Sequence, residues 1–314
     1  MKPPLIILSG PTAVGKTALS IKLAQKINGA IISADSMQIY RHMDIGSAKI
    51  TTEEMQGIPH YLIDELEPTD EFNVFRFQQM AKTYIEQIRQ AGKIPILTGG
   101  TGFYLQSILY DIDFTKEETD SIYRKELTDL AKEQGSGVLH KMLQMVDPIA
   151  AEQIHENNEK RLIRALEFHH LSGEKISAHN EKESQKESPY AFSYFVLSME
   201  RSILYERINR RADQMMAQGL LGEVQTLKNM GLNCGMTSMQ GLGYKELLDY
   251  LDGLCSLEEA VFRIKRDTRH FAKRQLTWFR REKEVIWLNK EAFGNEEEML
   301  RFMEEQIRVR IGEG

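Results

Sequence analysis

The segment Gly10-Pro11-Thr12-Ala13-Val14-Gly15-Lys16-Thr17 fits the pattern Gly-x-x-x-x-Gly-Lys-Ser/Thr and restricts the fold more than any other stretch of the chain. It lies between the apolar run Leu5-Ile6-Ile7-Leu8 and a segment in which Leu19, Leu23 and Ile27 recur at helical spacing. The order is therefore buried strand, glycine loop, helix. In that order the loop turns successive backbone N–H groups toward an anion at the helix N-terminus. Lys16 adds a point charge, and the Thr17 hydroxyl is a ligand for Mg²⁺. This predicts an α/β protein with a P-loop NTPase-like parallel sheet core flanked by helices. The pattern serves a nucleotide or another diphosphate equally well.

With 314 residues, 41% hydrophobic and 27% charged, the chain has room for one large domain or two smaller ones. Lys2, Pro3 and Pro4 precede a very short apolar run, which is neither a signal nor a transit pattern, and no apolar stretch is long enough to span a bilayer. A cytoplasmic location is expected. Cys234 and Cys255 stand apart without a CxxC or His-rich partner, so neither a structural disulfide nor a thiolate metal site is expected. The formal net charge of −6 argues against a protein that coats nucleic acid. However, Val261 to Lys283 holds nine Lys or Arg against Asp267 and Glu282, a concentrated basic patch on an acidic body.

Ala30 to Ala34 reads as a second strand with Asp35-Ser36-Met37-Gln38 at its end, and ligands of open α/β sheets bind beyond the carboxyl ends of strands. Asp35 is therefore expected near whatever the glycine loop holds. A short strand is expected at His60 to Ile63, then an amphipathic helix from Phe77 to Ile88 stopped by Gly92, then a strand at Ile94 to Leu97. Nucleotide hydrolases of this class place an acid at such a strand end, whereas here Thr98-Gly99-Gly100-Thr101 follows, which favours group transfer over hydrolysis. The spacing by itself makes Thr101 a helix N-cap.

From Asp113 to Pro189 only helical patterns occur, at Thr119 to Gln134, Val138 to Met145, Pro148 to His155 and Glu159 to His170. They predict a helical insertion domain over 113–189, with the polar segment Glu174 to Pro189 as a solvated return loop. The core, 1–112 and 190–314, resumes with a strand at Phe192 to Met199 and a helix carrying Arg207 and Arg211. These arginines share a face, which suits either a diphosphate clamp or surface pairing with Glu200, Glu206 or Asp213. A glycine-punctuated loop follows at Thr237 to Lys245, and Ser256-Leu257-Glu258-Glu259 is a capping-box signature opening a long helix. Along that helix Arg266, Arg269, Lys273 and Arg280 form a stripe suited to a phosphate backbone, with Trp278 and Phe279 read as core. A final strand at Val285 to Leu288 precedes an acidic helix.

Taken together, the chain resembles the bacterial tRNA dimethylallyltransferases, also called tRNA isopentenyltransferases, over nearly its full length. The matching segments are residues 10–17, Ser-Ala-Asp-Ser-Met-Gln-Ile-Tyr at 33–40, Met-Asp-Ile-Gly-Ser-Ala-Lys at 43–49, Thr-Gly-Gly-Thr-Gly-Phe-Tyr at 98–104, Arg-Leu-Ile-Arg-Ala-Leu-Glu at 161–167 and Lys-Arg-Gln-Leu-Thr-Trp-Phe-Arg at 273–280. The resemblance implies transfer of a dimethylallyl group from dimethylallyl diphosphate to the exocyclic amine of the adenosine 3′-adjacent to a tRNA anticodon. It implies that residues 10–17 cradle the diphosphate with Thr17 on Mg²⁺, the one cofactor expected, and that Asp35 is the general base. Lys16, Thr101 and Arg211 complete the catalytic set it implies, with Arg207 beside Arg211 on the diphosphate. The implied tRNA contacts are Asp35, Ser36, Met37, Gln38, Thr101, Arg124, Lys160, Arg161, Arg164, Gln240, Gly243, Lys245, Lys273 and Arg274. The partners implied are the anticodon stem-loop and dimethylallyl diphosphate, met by a monomer. The chain departs from the family at Asn157-Asn158, where Asn-Asp is usual.

Three other readings compete. A small-molecule kinase accounts for the loop but poorly for the basic helix and the absent acid. A nucleotide-switched RNA-binding module leaves Asp35 idle, and an isopentenyltransferase of free adenine nucleotides needs neither the insertion nor the basic stripe.

Overall fold

The computed structural model describes residues 2–114 and 121–312, which divide into two compact units, 1–109 with 189–314, and 110–188. The first unit begins with β1 (Pro4–Ser9), the glycine loop and α1 (Lys16–Lys26), followed by β2 (Gly29–Ser33), β3 (His60–Tyr61), α2 (Val74–Gln90), β4 (Ile94–Gly99) and α3 (Gly102–Leu109). Helix α2 starts where the Asn73 side chain accepts the Arg76 N–H at 2.9 Å, an N-cap the apolar periodicity did not locate.

The second unit is built of α4 (Ser121–Gln134), α5 (Gly137–Val146), α6 (Pro148–Gln153), α7 (Glu159–Ser172) and α8 (Ile176–Ser184). Its core gathers Leu127, Leu139, Leu143, Leu162 and Leu166. Helix α4 was expected from Thr119, but residues 119 and 120 lie outside the described residues. The expected return loop after Glu174 is corrected by α8. Asp147 accepts the Ser177 N–H at 2.9 Å and the Ser177 hydroxyl at 2.7 Å, and Ile176 packs on the core. Two anchoring contacts thus order a segment whose composition gives no sign of it.

The first unit resumes with β5 (Ala191–Ser198), α9 (Arg201–Ala217), α10 (Leu220–Asn229), α11 (Tyr244–Leu251), α12 (Leu257–Phe279), β6 (Val285–Asn289) and α13 (Glu296–Ile311). Its six strands form one parallel sheet in the order β3-β2-β4-β1-β5-β6, with Ile7 in register with Leu97 on one side and Tyr194 on the other. Both faces of β1 are covered, so Leu5, Ile6, Ile7 and Leu8 are fully buried. Each such side chain contributes about 2 kcal/mol of hydrophobic stabilisation, which fixes the strand from which the glycine loop leaves. The parallel arrangement brings the carboxyl ends of β1, β2, β4, β5 and β6 to one edge, where the loops carrying chemistry collect.

Candidate active site

The glycine loop crosses from β1 to α1 through backbone that few residues tolerate. Gly10 has φ 145°, and a Cβ there would lie 2.5 Å from the Leu197 carbonyl oxygen, so the close approach of β5 requires glycine. The Lys16 ammonium folds inside the loop, donating to the Gly10 and Pro11 carbonyls at 3.0 and 2.9 Å. Burial lowers its pKa to about 8; Asp35 opposes the shift and Arg211 adds to it.

Around the loop stands a group of cations. Of the acids that could have neutralised Arg207 and Arg211, Glu206 pairs with Arg210 at 2.6 Å, Asp213 pairs with Lys265 at 2.5 Å, and Glu200 accepts the Ser202 hydroxyl. The two arginines have no ion-pair partner among the described residues, so the surface pairing with Glu200, Glu206 or Asp213 is not made. Burial lowers the pKa of Arg211, with Asp35 opposing and Arg207 contributing in the same direction as burial. Arg207 also approaches Gly15, together with Lys290 from the turn after β6: a Cβ on Gly15 would lie 2.9 Å from the Lys290 ammonium and 3.7 Å from an Arg207 guanidinium nitrogen.

Asp35 follows β2, and its Oδ1 accepts the Met37 N–H at 2.9 Å, a local turn that fixes the carboxylate. Gln38 accepts the Ser33 hydroxyl at 3.0 Å. At the end of β4 stand Thr98, Gly99 and Gly100 with no carboxylate, and Asp35 is the acid that acts on both Lys16 and Arg211. Thr101 occupies the N-cap position of α3, its carbonyl accepting the Tyr104 N–H at 3.0 Å. No side-chain hydrogen bond occupies its hydroxyl among the described residues, so the capping position and a ligand contact are compatible.

Two residues without an assigned role in the sequence organise these loops. Gln275 of α12 accepts the Thr12 N–H at 2.9 Å and donates to the Gly100 carbonyl at 3.0 Å, tying the two glycine loops to one helix. Glu223 of α10 accepts the N–H groups of Asp44, Ile45 and Gly46 at 2.9, 2.7 and 3.0 Å and the Tyr244 hydroxyl at 2.7 Å. Both lie far in sequence from what they hold, and although Gln275 falls in the matching segment 273–280, that segment gives no hint of its partners.

The expected nucleic-acid contacts fall into two groups. Gln240 and Lys245 are exposed on the loop and helix that pack beside Met37: Gly241 approaches Met37, and Gly243, at φ 95°, starts α11 by donating its N–H to Glu246 at 2.8 Å. On α12 two members of the basic stripe are engaged: Arg266 bonds its neighbour Asp267 at 2.7 Å and Arg269 bonds Asn209 on α9 at 2.6 Å. The exposed face is formed by His270, Lys273, Arg274 and Arg281 around Trp278, which packs against Gly102, while Phe279 is core. The capping box is half formed: Ser256 accepts the Glu259 N–H at 3.2 Å, but the Glu259 side chain turns to Arg263. In the second unit Lys160 and Arg161 are exposed. Arg124 and Arg164 lie 2.5 and 3.6 Å from Glu167, which is fully buried, so both neutralise an internal charge. Asn158 of the departing Asn157-Asn158 pair caps α7, accepting the Arg161 N–H at 3.4 Å.

The residues fit Mg²⁺ in one way. Thr17 presents an exposed hydroxyl oxygen at the start of α1, and among the described residues no cluster of three or more His, Cys, Asp or Glu could cage an ion. A hard cation here would take most of its ligands from a bound anion and water, as Mg²⁺ does.

The model of the IPP transferase family matches residues 38–282. The chain is 59% identical over 297 residues to the tRNA dimethylallyltransferase of Lachnoclostridium phytofermentans, covering 95% of each. It resembles the crystal structure of the full-length tRNA isopentenylpyrophosphate transferase of Bacillus halodurans, with 42% identity, a TM-score of 0.74 and coverage of 99% of this chain and 98% of that one. A eukaryotic dimethylallyltransferase acting on tRNA superposes with a TM-score of 0.83 at 28% identity, covering 98% of this chain and 80% of that one.

Proposed function

The chain belongs to the IPP transferase family, and on that premise we propose that it transfers a dimethylallyl group from dimethylallyl diphosphate to the exocyclic amine of the adenosine 3′-adjacent to a tRNA anticodon, releasing diphosphate. The observation that carries the reading is Asp35 at the end of β2 beside Lys16 and Arg211, which no other acid among the described residues neutralises. A hydrolase needs an acid at the end of β4, and this edge instead offers a carboxylate where an amine can be deprotonated.

In the reaction the adenine nitrogen forms a bond to the allylic carbon while the carbon–oxygen bond to diphosphate breaks. The electron pair leaves on the diphosphate oxygen, and the amine proton passes to Asp35. The nitrogen becomes acidic only during attack, so an ordinary carboxylate suffices. The loop N–H groups, Lys16, Arg207 and Arg211 stabilise charge as it develops on the departing oxygens. Thr17 would hold Mg²⁺ at the start of α1, where the ion would supply further neutralisation of that charge. Thr101, with an unspent hydroxyl, orients the diphosphate or the target nucleotide. The base leaves the loop stack to reach Asp35. Ser36, Met37 and Gln38 surround it, and Gln240, Gly243, Lys245, Lys273, Arg274, Lys160 and Arg161 position the stem-loop, while Arg124 and Arg164 hold the buried Glu167 of α7. No described helix is long and apolar enough to cross a membrane, and the reading places the enzyme with tRNA in the cytoplasm.

The test is nucleoside mass spectrometry after incubating the protein with unmodified tRNA, Mg²⁺ and dimethylallyl diphosphate. A prenylated adenosine is expected. Modified free AMP with untouched tRNA would sink the tRNA assignment, and consumption of ATP without prenyl transfer would favour a kinase.

A further inference from the structure

Strand β6 ends in register with β5, Asn289 opposite Ser198, and β5 in turn runs beside β1, Ser9 opposite Val196. The turn Lys290–Ala292 therefore emerges at the same edge of the sheet as the glycine loop. Lys290 turns toward that loop. Its ammonium and an Arg207 guanidinium nitrogen both lie within 4 Å of the position a Gly15 Cβ would take. Two cations converge on one point of the backbone that opens α1.

Neither is neutralised. Among the described residues Lys290 and Arg207 have no ion-pair partner. Glu291, next in the chain, turns away to accept the Glu200 N–H at 3.0 Å, and Glu296 pairs with Lys22. Burial and the neighbouring Arg207 lower the pKa of Lys290, with Glu296 and Glu291 opposing. Like charges brought together at a partly desolvated spot are costly unless an anion joins them.

We infer that Lys290 is a further diphosphate-binding residue, its ammonium acting with Arg207 on the diphosphate oxygens that face Gly15 while Lys16 and the N–H groups of the loop hold the remainder. The inference rests on the proposed transfer for the identity of the diphosphate ester, but not for the anion itself. Arginine at 290 would keep the charge, whereas alanine would remove it.

The experiment measures binding of inorganic diphosphate by calorimetry in the presence of Mg²⁺, and steady-state transfer to tRNA, for the wild type, Lys290→Ala, Lys290→Arg and Lys132→Ala. Lys132 is an exposed lysine of α4 that the proposed site does not include, and it serves as the control cation. Lys290→Ala is expected to weaken diphosphate binding and raise KM for dimethylallyl diphosphate by about tenfold, leaving KM for tRNA unchanged. Lys290→Arg should recover most of the loss, and Lys132→Ala should match the wild type. A folded Lys290→Ala protein, checked by its melting profile, that binds diphosphate within twofold of the wild type would overturn the assignment, as would a loss confined to KM for tRNA. Lys290-dependent diphosphate binding by a wild type that prenylates no tRNA would uphold the site and reject the transfer.

Discussion

The Gln275 carboxamide accepts the Thr12 N–H at 2.9 Å, so the phosphate loop is held by the same helix that presents Lys273 and Arg274 to solvent. Its other end donates to the Gly100 carbonyl, and the residue is buried. Replacement by alanine leaves a backbone donor and a backbone acceptor unpaired, each costing about 1–3 kcal/mol when it stays dry. Gln275→Ala is expected to lower the melting temperature by several degrees and to raise KM for dimethylallyl diphosphate more than KM for tRNA. Gln275→Glu retains the acceptor for Thr12 but places a carboxylate against the Gly100 carbonyl, so it should be no better. Calorimetric melting with steady-state kinetics on both substrates checks this, and equal effects on the two KM values would count against it.

Asp35→Asn keeps an oxygen for the Met37 N–H and removes only the base. Transfer is expected to fall by about 10²- to 10⁴-fold in a single-turnover assay, the usual contribution of a positioned base. Diphosphate binding should be retained or tightened, because a negative charge has left a group that includes Lys16 and Arg211. Transfer within tenfold of the wild type would remove Asp35 from the mechanism.

Burial holds the Lys16 ammonium at about 8, so its charge is complete below that pH and is lost above it, well before a solvent-exposed lysine would titrate. Affinity for dimethylallyl diphosphate should therefore decline as pH rises through about 8. Since the bound anion favours the charged form, the decline in the complex should begin at higher pH than in the free enzyme. The linked effect on folding has the opposite sense. The folded pKa lies below the unfolded value, so the cost of the buried charge is present below about 8 and is relieved between there and the unfolded value of 10.5. Binding titrations across pH 6.5–9.5 on the wild type and Lys16→Met would separate the two, because the variant should lack the alkaline decline.

What the sequence disclosed and what it withheld divide along a physical line. The glycine loop, Asp35 at the end of β2 and the absent acid after Leu97 are local: strand, turn and helix signals lie within a few residues of the groups they position. The strands β1, β4, β5 and β6 are read from apolar runs in the same way. Gln275, Glu223 and Lys290 work at a distance, reaching Thr12, Asp44 to Gly46 and Gly15 across the fold, and their neighbours in the chain give no hint of those partners. The basic stripe is a related case: helical spacing places Arg269 with Lys273, but it does not reveal that Asn209 of α9 takes up the Arg269 guanidinium. Ordering of α8 by Asp147 and Ser177 was equally invisible, since two hydrogen bonds outweigh a polar composition.

That division also decides how the basic helix should respond to mutation. Lys273 and Arg274 are exposed beside Trp278, and no ion pair consumes either charge among the described residues. Each phosphate they neutralise releases counterions, so tRNA affinity should fall steeply with salt. A Lys273→Ala, Arg274→Ala double variant is expected to reduce the slope of log affinity against log salt by about 1 to 2 and to weaken all tRNA sequences alike, because backbone contacts carry no sequence information. Its kcat at saturating tRNA should stay near that of the wild type, since Gln275 continues to hold the loops. Arg269→Ala should behave in the reverse manner. Its guanidinium is committed to Asn209, so the loss should appear in the melting temperature while the salt slope remains. Filter binding over a series of salt concentrations, paired with melting curves, distinguishes the two. An Arg269→Ala protein that lost salt dependence while Lys273→Ala, Arg274→Ala kept it would place the nucleic acid on the other face of α12.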